Sequence, residues 1–279
     1  MAPLVLEFAS DDGVAARALE ALYHAAPATD DPPTLRYTLR RTGTGPAAGY
    51  EAGSPAQPLF GPASLTDAWA FLEWRATEDV LNAATADLLF VHAGAAVLGN
   101  RMVLLIGDPG AGKSTLVTHL MMRGHDVLGD DVVRFATRDG RYSAVGRSFK
   151  LDDKALRGMP LVAALCAAGT LGTLLAAGCY YVSPAAIRRT WHGSAARPWA
   201  VVLLDAGARI GASGVQRSSE GEAAVVASRK LLGGAALPAP VRAGATVRLL
   251  ESLEDAVAYR AVGADPARVA EALEREAMR

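Results

Sequence analysis

Within Gly107-Asp108-Pro109-Gly110-Ala111-Gly112-Lys113-Ser114-Thr115, the eight residues Gly107 to Ser114 satisfy the pattern G-x-x-x-x-G-K-[ST] without a substitution. The chemistry of that pattern is phosphate binding. Glycines let successive backbone N–H groups point into a concave anion nest, and a helix starting there adds the positive end of its dipole. Lys113 is then placed to reach terminal phosphates and the Ser114 hydroxyl to hold Mg²⁺. A glycine-rich turn carrying a surface lysine is the plainer alternative. The flanks argue against it: Met102-Val103-Leu104-Leu105-Ile106 reads as a buried strand, and Leu116, Val117, Leu120 and Met121 recur at helical spacing before Gly124, giving the strand, loop and helix that the pattern requires.

Phosphoryl transfer also needs a metal to spread charge and a group that orients or deprotonates the acceptor. Asp130 and Asp131 end a short apolar strand, where an open α/β sheet binds its ligands. One of the pair can address Mg²⁺ while its neighbour faces an acceptor hydroxyl; the alternative is that one merely caps a turn. His92 follows Leu88-Leu89-Phe90-Val91, and a hairpin would return it to the same sheet edge. Four cations, Arg147, Lys150, Arg189 and Arg197, are candidates to neutralise the transferring phosphate. Arg147 and Lys150 come first, because the loop after the double aspartate should lie beside the nucleotide. His192 is conspicuous but takes no role.

Val-His-Ala at 91–93, Gly-Asp-Pro-Gly-Ala-Gly-Lys-Ser at 107–114, and Arg-Gly-His at 123–125 followed by Asp130-Asp131 together resemble the HPr kinase/phosphorylase family and its HPr-kinase-related branch. The resemblance covers roughly residues 88–135. It implies that Gly107 to Thr115 bind ATP, that Ser114 and Asp130 address Mg²⁺, that Asp131 is the base for the acceptor hydroxyl, and that His92 tunes the aspartates. The family's Leu-Glu-x-Arg-Gly-type segment, tied to its phosphorylase activity, is not recognisable; Gly146-Arg147-Ser148-Phe149-Lys150-Leu151-Asp152 stands in that region. The resemblance therefore does not extend to the reverse reaction or to HPr as acceptor. Related kinases without that segment look like enzymes of peptide natural-product clusters, which implies a serine of a peptide or protein as acceptor.

These residues need elements to position them. Before them, Pro3 to Phe8 and Leu35 to Arg40 read as strands, and Val14 to Ala25 as a helix behind Ser10-Asp11-Asp12. Thr42 to Pro62 reads as a loop with a short strand near Tyr50. Ser64 opens a helix towards Ala84, with Trp69, Leu72, Ala76, Val80 and Leu81 along one side. Residues 1–86 form a smaller N-terminal α+β module without a catalytic constellation, a packing layer or a recognition module. Residues 87–279 are the expected nucleotide-binding domain, α/β with a P-loop core and a mixed β-sheet flanked by helices. Its strands are expected at Asp87 to Val91, Ala95 to Leu98, Met102 to Ile106, Tyr142 to Val145, Val201 to Asp205, Val247 to Leu250 and Ala256 to Ala261. A Gly/Ser-rich loop is expected from Gly207 to Ser218, then a helix capped by Ser219 and Glu222. Asp265-Pro266 starts the last helix.

The 279 residues are 51% hydrophobic and 20% charged, which describes a globular chain. A net charge of −1 gives no electrostatic case for nucleic acid or an anionic membrane. Cys166 and Cys179 lack metal-type spacing and are expected as reduced core thiols of a cytoplasmic protein. Met159 to Val182 carries no charge and is long enough to span a bilayer, but Pro160, Gly169, Gly172 and Gly178 favour buried helix, turn and strand. No membrane segment is expected, and the oligomeric state stays open, a homo-oligomer included. The reading is an ATP- and Mg²⁺-dependent kinase acting on a hydroxyl. Alternatives are a small-molecule kinase and a nucleotide-dependent switch that transfers nothing.

Overall fold

The computed structural model describes residues 5–23, 29–45, 48–169, 173–188, 197–205, 214–233, 237–262 and 265–279. The architecture is mixed α/β, with four sheets flanked by helices among the described residues.

The first sheet is built from β1 (Leu6–Ala9), β2 (Leu35–Thr42), β3 (Gly49–Gly53) and β4 (Pro58–Ala63), with α1 (Gly13–Leu19) and α2 (Leu65–Asn82) beside it. Ser64 caps α2 by accepting the Asp67 N–H at 3.1 Å. Ala68, Trp69, Leu72, Ala76 and Val80 are buried along one helix face, the spacing of an amphipathic helix. Trp69 donates its indole N–H to the Ala18 carbonyl at 2.8 Å. This core is completed by Ala176 and Tyr181 from the rest of the chain. β4 corrects the expected loop: Pro58 and Pro62 suggest a break, yet the strand lies at the sheet edge, where proline is tolerated.

The following chain runs β5 (Leu88–Val91), β6 (Gly94–Leu98), β7 (Arg101–Gly107), α3 (Lys113–Met122), β8 (Asp126–Gly129), β9 (Val133–Ala136), β10 (Arg141–Ser143) and β11 (Phe149–Leu151). After it come α4 (Asp153–Leu156), α5 (Pro160–Ala167), β12 (Thr173–Ala176), β13 (Cys179–Val182), α6 (Pro184–Ile187) and β14 (Pro198–Leu204). The last elements are β15 (Gly214–Arg217), α7 (Glu220–Ser228), β16 (Leu231–Leu232), α8 (Ala239–Ser252), β17 (Val257–Val262) and α9 (Pro266–Ala277).

The central sheet has the order β15-β17-β14-β7-β6-β8. Met102, Leu104 and Ile106 of β7 face one core and Val103 and Leu105 the other, which is why this strand is apolar throughout. Strands β7, β14 and β17 are parallel, β6 is antiparallel to β7, and β8 is antiparallel to β6. One sheet edge therefore collects the end of β7, the end of β8 and the start of β6. The second face packs α3 and α9; the first packs α7, α8 and the sheet β10-β9-β5-β16.

Three expectations are corrected. Val247 to Leu250 lies inside α8, because Ala245, Leu249 and Ser252 are buried at helical spacing. Of the Gly207 to Ser218 loop, Gly214 to Arg217 is the edge strand β15, paired with β17, and 207–213 lie outside the described residues. The active-site loop expected at Gly146 to Lys150 is in part strand β11, paired with β13. The uncharged stretch Met159 to Val182 forms α5, β12 and β13, and among the described residues no helix is long and apolar enough to cross a membrane.

Candidate functional site

The glycine loop leaves β7 where the backbone must pass close to β14: a Cβ on Gly107 would stand 2.7 Å from the Leu204 carbonyl oxygen and 2.9 Å from Ala111 Cβ. Gly110 and Gly112 take φ of 80° and 95°, with open space around both, so conformation and not crowding calls for glycine there. Gly112 leads into α3 without a side-chain cap. The helix start thus keeps backbone donors for an anion. Lys113 is buried and folds back over the loop, its Nζ donating to the Gly107 carbonyl at 2.9 Å and to that of Asp108 at 3.4 Å. Burial lowers its pKa, against the pull of Asp131 and Asp130.

At the end of β8, Asp130 is buried and accepts the Lys150 backbone N–H at 3.2 Å. Burial first, and the neighbouring Asp131 carboxylate second, raise its pKa to about 6; Ser114, Arg147 and the Lys150 N–H pull the other way. Asp131 is more open, with a side-chain exposure of 42%, and its Oδ1 lies 3.4 Å from His92 Nδ1. Burial lowers the His92 pKa, opposed by Asp131, so the ring is neutral at neutral pH. The same sheet edge thus carries His92, Lys113, Asp130 and Asp131.

Arg147 projects from the segment before β11 and pairs with Glu73 of α2, both side chains largely buried. Burial, the largest influence, lowers its pKa, but Glu73, Tyr23, Asp130 and Asp131 together outweigh it and the net shift is upward. Lys150 places its Nζ 5.6 Å from the centre of the Tyr181 ring, so its side chain is committed to an aromatic face while its backbone serves Asp130. Lys230 has no motif to announce it. Pairing of β16 with β5 brings it beside His92, whose backbone N–H donates to the Lys230 carbonyl at 2.7 Å, while Lys230 Nζ holds Asp108 Oδ1 at 2.7 Å. No local signal encodes a contact made across so much chain.

A cavity of about 630 Å³ lies over the loop and reaches Asp130, Asp131, Arg147 and Lys150, with Leu204, Asp205 and Val269 on another wall. Its size suits a small-molecule ligand. Cys179 lines it and is only half-buried, which corrects the expectation of a core thiol; Cys166 is buried as expected. Arg197 is another correction: its Nε donates to the Asp139 carbonyl at 2.7 Å, beside Gly140, and it is not part of the cavity wall. Arg189 and His192 lie outside the described residues.

The oxygen donors present suit a hard cation. Ser114 and Asp130 line the same cavity, and Mg²⁺ uses one or two protein oxygens together with phosphates and waters. Among the described residues no group of three or more His, Cys, Asp or Glu gathers as an all-protein metal cage. No family model matches the chain, and no curated protein matches it.

Proposed function

We propose that the protein is an HPr-kinase-like P-loop enzyme that transfers the γ-phosphoryl group of ATP to a hydroxyl, on a serine of a peptide or protein. The observation that carries this reading is the meeting of the uncapped α3 start and Lys113 with the His92–Asp131 pair, 3.4 Å apart, at one sheet edge. Phosphoryl transfer is mostly positioning and charge stabilisation, and these residues supply both.

The loop amides from Gly107 to Thr115 bind the phosphates, and Lys113 leaves the Gly107 carbonyl to contact the terminal ones. A bound Mg²⁺ would supply charge neutralisation for the transferring phosphate. Ser114 and Asp130 are the residues that would hold it. Asp131, exposed to the cavity, accepts the proton of the acceptor hydroxyl. His92 sits behind it, and its neutral ring orients the carboxylate without cancelling its charge. Arg147 faces the transferring phosphate from the opposite wall.

Incubation with γ-labelled ATP, Mg²⁺ and panels of serine peptides and small alcohols tests this. Label on a peptide is the expected result. Label only on small alcohols would reassign the acceptor, and release of free phosphate alone would point to a switch.

A further inference from the structure

The first 86 residues carry no catalytic motif, yet the cavity wall facing Asp130 is tied to them at three points. The Ser148 N–H donates to the Leu22 carbonyl at 3.1 Å. The Ser148 hydroxyl donates to the Ala21 carbonyl. Arg147 pairs with Glu73, one α2 turn before Thr77, whose hydroxyl donates to the same Glu73 oxygen at 3.3 Å. Two residues past Ser148, the Lys150 N–H reaches Asp130. The wall is therefore hung between α2 and the double aspartate.

A guanidinium has five N–H donors in a rigid fork, and Glu73 takes the Nη2 end. The carboxylates of Asp130 and Asp131 also act on Arg147 electrostatically. Without Glu73, a largely buried arginine would have to find another anion, and those two acids are the ones at hand. With Glu73 in place the guanidinium is held at the wall, and among the described residues no other hydrogen bond engages it, which leaves donors to meet an anion in the cavity.

Resting on the reading above, we propose that Glu73 is a positioning residue: it holds Arg147 as the docking group for the nucleotide's terminal phosphate, so the N-terminal layer forms part of the phosphate site. The bland alternative is a buried ion pair that only staples the layer in place. The two differ in one respect. A staple affects folding, whereas a positioned docking group affects discrimination between ATP and ADP.

Calorimetric titration of MgATP and MgADP into the wild type, Arg147→Met, Glu73→Gln and the double variant separates them. Both single variants are expected to lose about tenfold or more of the preference for ATP over ADP, with the double variant no worse than Arg147→Met alone. Glu73→Asp keeps the charge but withdraws it by one methylene, guards against a folding failure of Glu73→Gln, and is expected to lose part of the preference. A Glu73→Gln or Glu73→Asp protein with a lowered melting temperature and an unchanged ATP-to-ADP ratio overturns the proposal alone. A wild type that binds neither nucleotide overturns the kinase reading and this proposal with it.

Discussion

Lys113 and Lys230 both reach the glycine loop, Lys113 through the carbonyls of Gly107 and Asp108, Lys230 through the Asp108 carboxylate. Their partners say what each is for. Carbonyl oxygens are weak competitors for an ammonium, so Lys113 can exchange them for phosphate oxygens; Lys113→Ala is expected to abolish measurable MgATP binding in a titration. Asp131 differs from Asp130 in being open to the cavity and, among the described residues, paired with His92 alone, at 3.4 Å. Asp131→Asn keeps shape and removes the base, so nucleotide affinity should stay within a few-fold while labelled transfer falls by ~10²- to 10⁴-fold. Near-full transfer by that variant would take the base role away from Asp131.

Among the elements, α3 and α9 are joined by Glu274, which receives Arg123 at Nε, 2.7 Å, and His125 at Nε2, also 2.7 Å. Arg123 chiefly, with His125 helping against desolvation, lowers the Glu274 pKa to about 2 from an ordinary 4.5. A depressed carboxylate binds fewer protons folded than unfolded. Its stabilisation is complete above pH 4.5 and is lost as the pH falls towards 2. Glu274→Gln is expected to melt lower than the wild type at pH 7, with the gap narrowing on acidification, read by thermal scans at several pH values.

The elements also show what is legible locally. The strand, loop and helix around Lys113, the Ser64 start of α2 and the Asp265-Pro266 start of α9 were readable because each is encoded by neighbours in sequence. Residues 247–250 misled because a short apolar run suits either period, and burial at Ala245, Leu249 and Ser252 decides for the helix. Lys230 and Glu73 left no trace, since their roles arise from contacts with Asp108 and Arg147 far along the chain.

For the whole molecule, the N-terminal layer shares its core with β12 and β13 through Ala176 and Tyr181, and the Tyr181 ring meets Trp69 edge-on at 4.5 Å. Trp69→Ala would empty that junction and take the indole donor from the Ala18 carbonyl, which keeps the Ala21 N–H at 3.1 Å, at a cost of about 3–5 kcal/mol. Urea unfolding should show the loss, together with weakened MgATP binding, because the same layer holds Arg147. A Trp69→Ala protein that binds nucleotide as the wild type does would detach the layer from the site.

The central claim is that a triphosphate settles on the loop with its outermost phosphorus facing Asp131. A crystal structure with Mg²⁺ and a non-hydrolysable ATP analogue tests it most directly. The account predicts Lys113 Nζ moved from the Gly107 carbonyl onto phosphate oxygens, Ser114 and Asp130 at the metal, and the γ-phosphate between Arg147 and Asp131. An analogue bound elsewhere, or seated on the loop with its γ-phosphate turned away from Asp131, would contradict it.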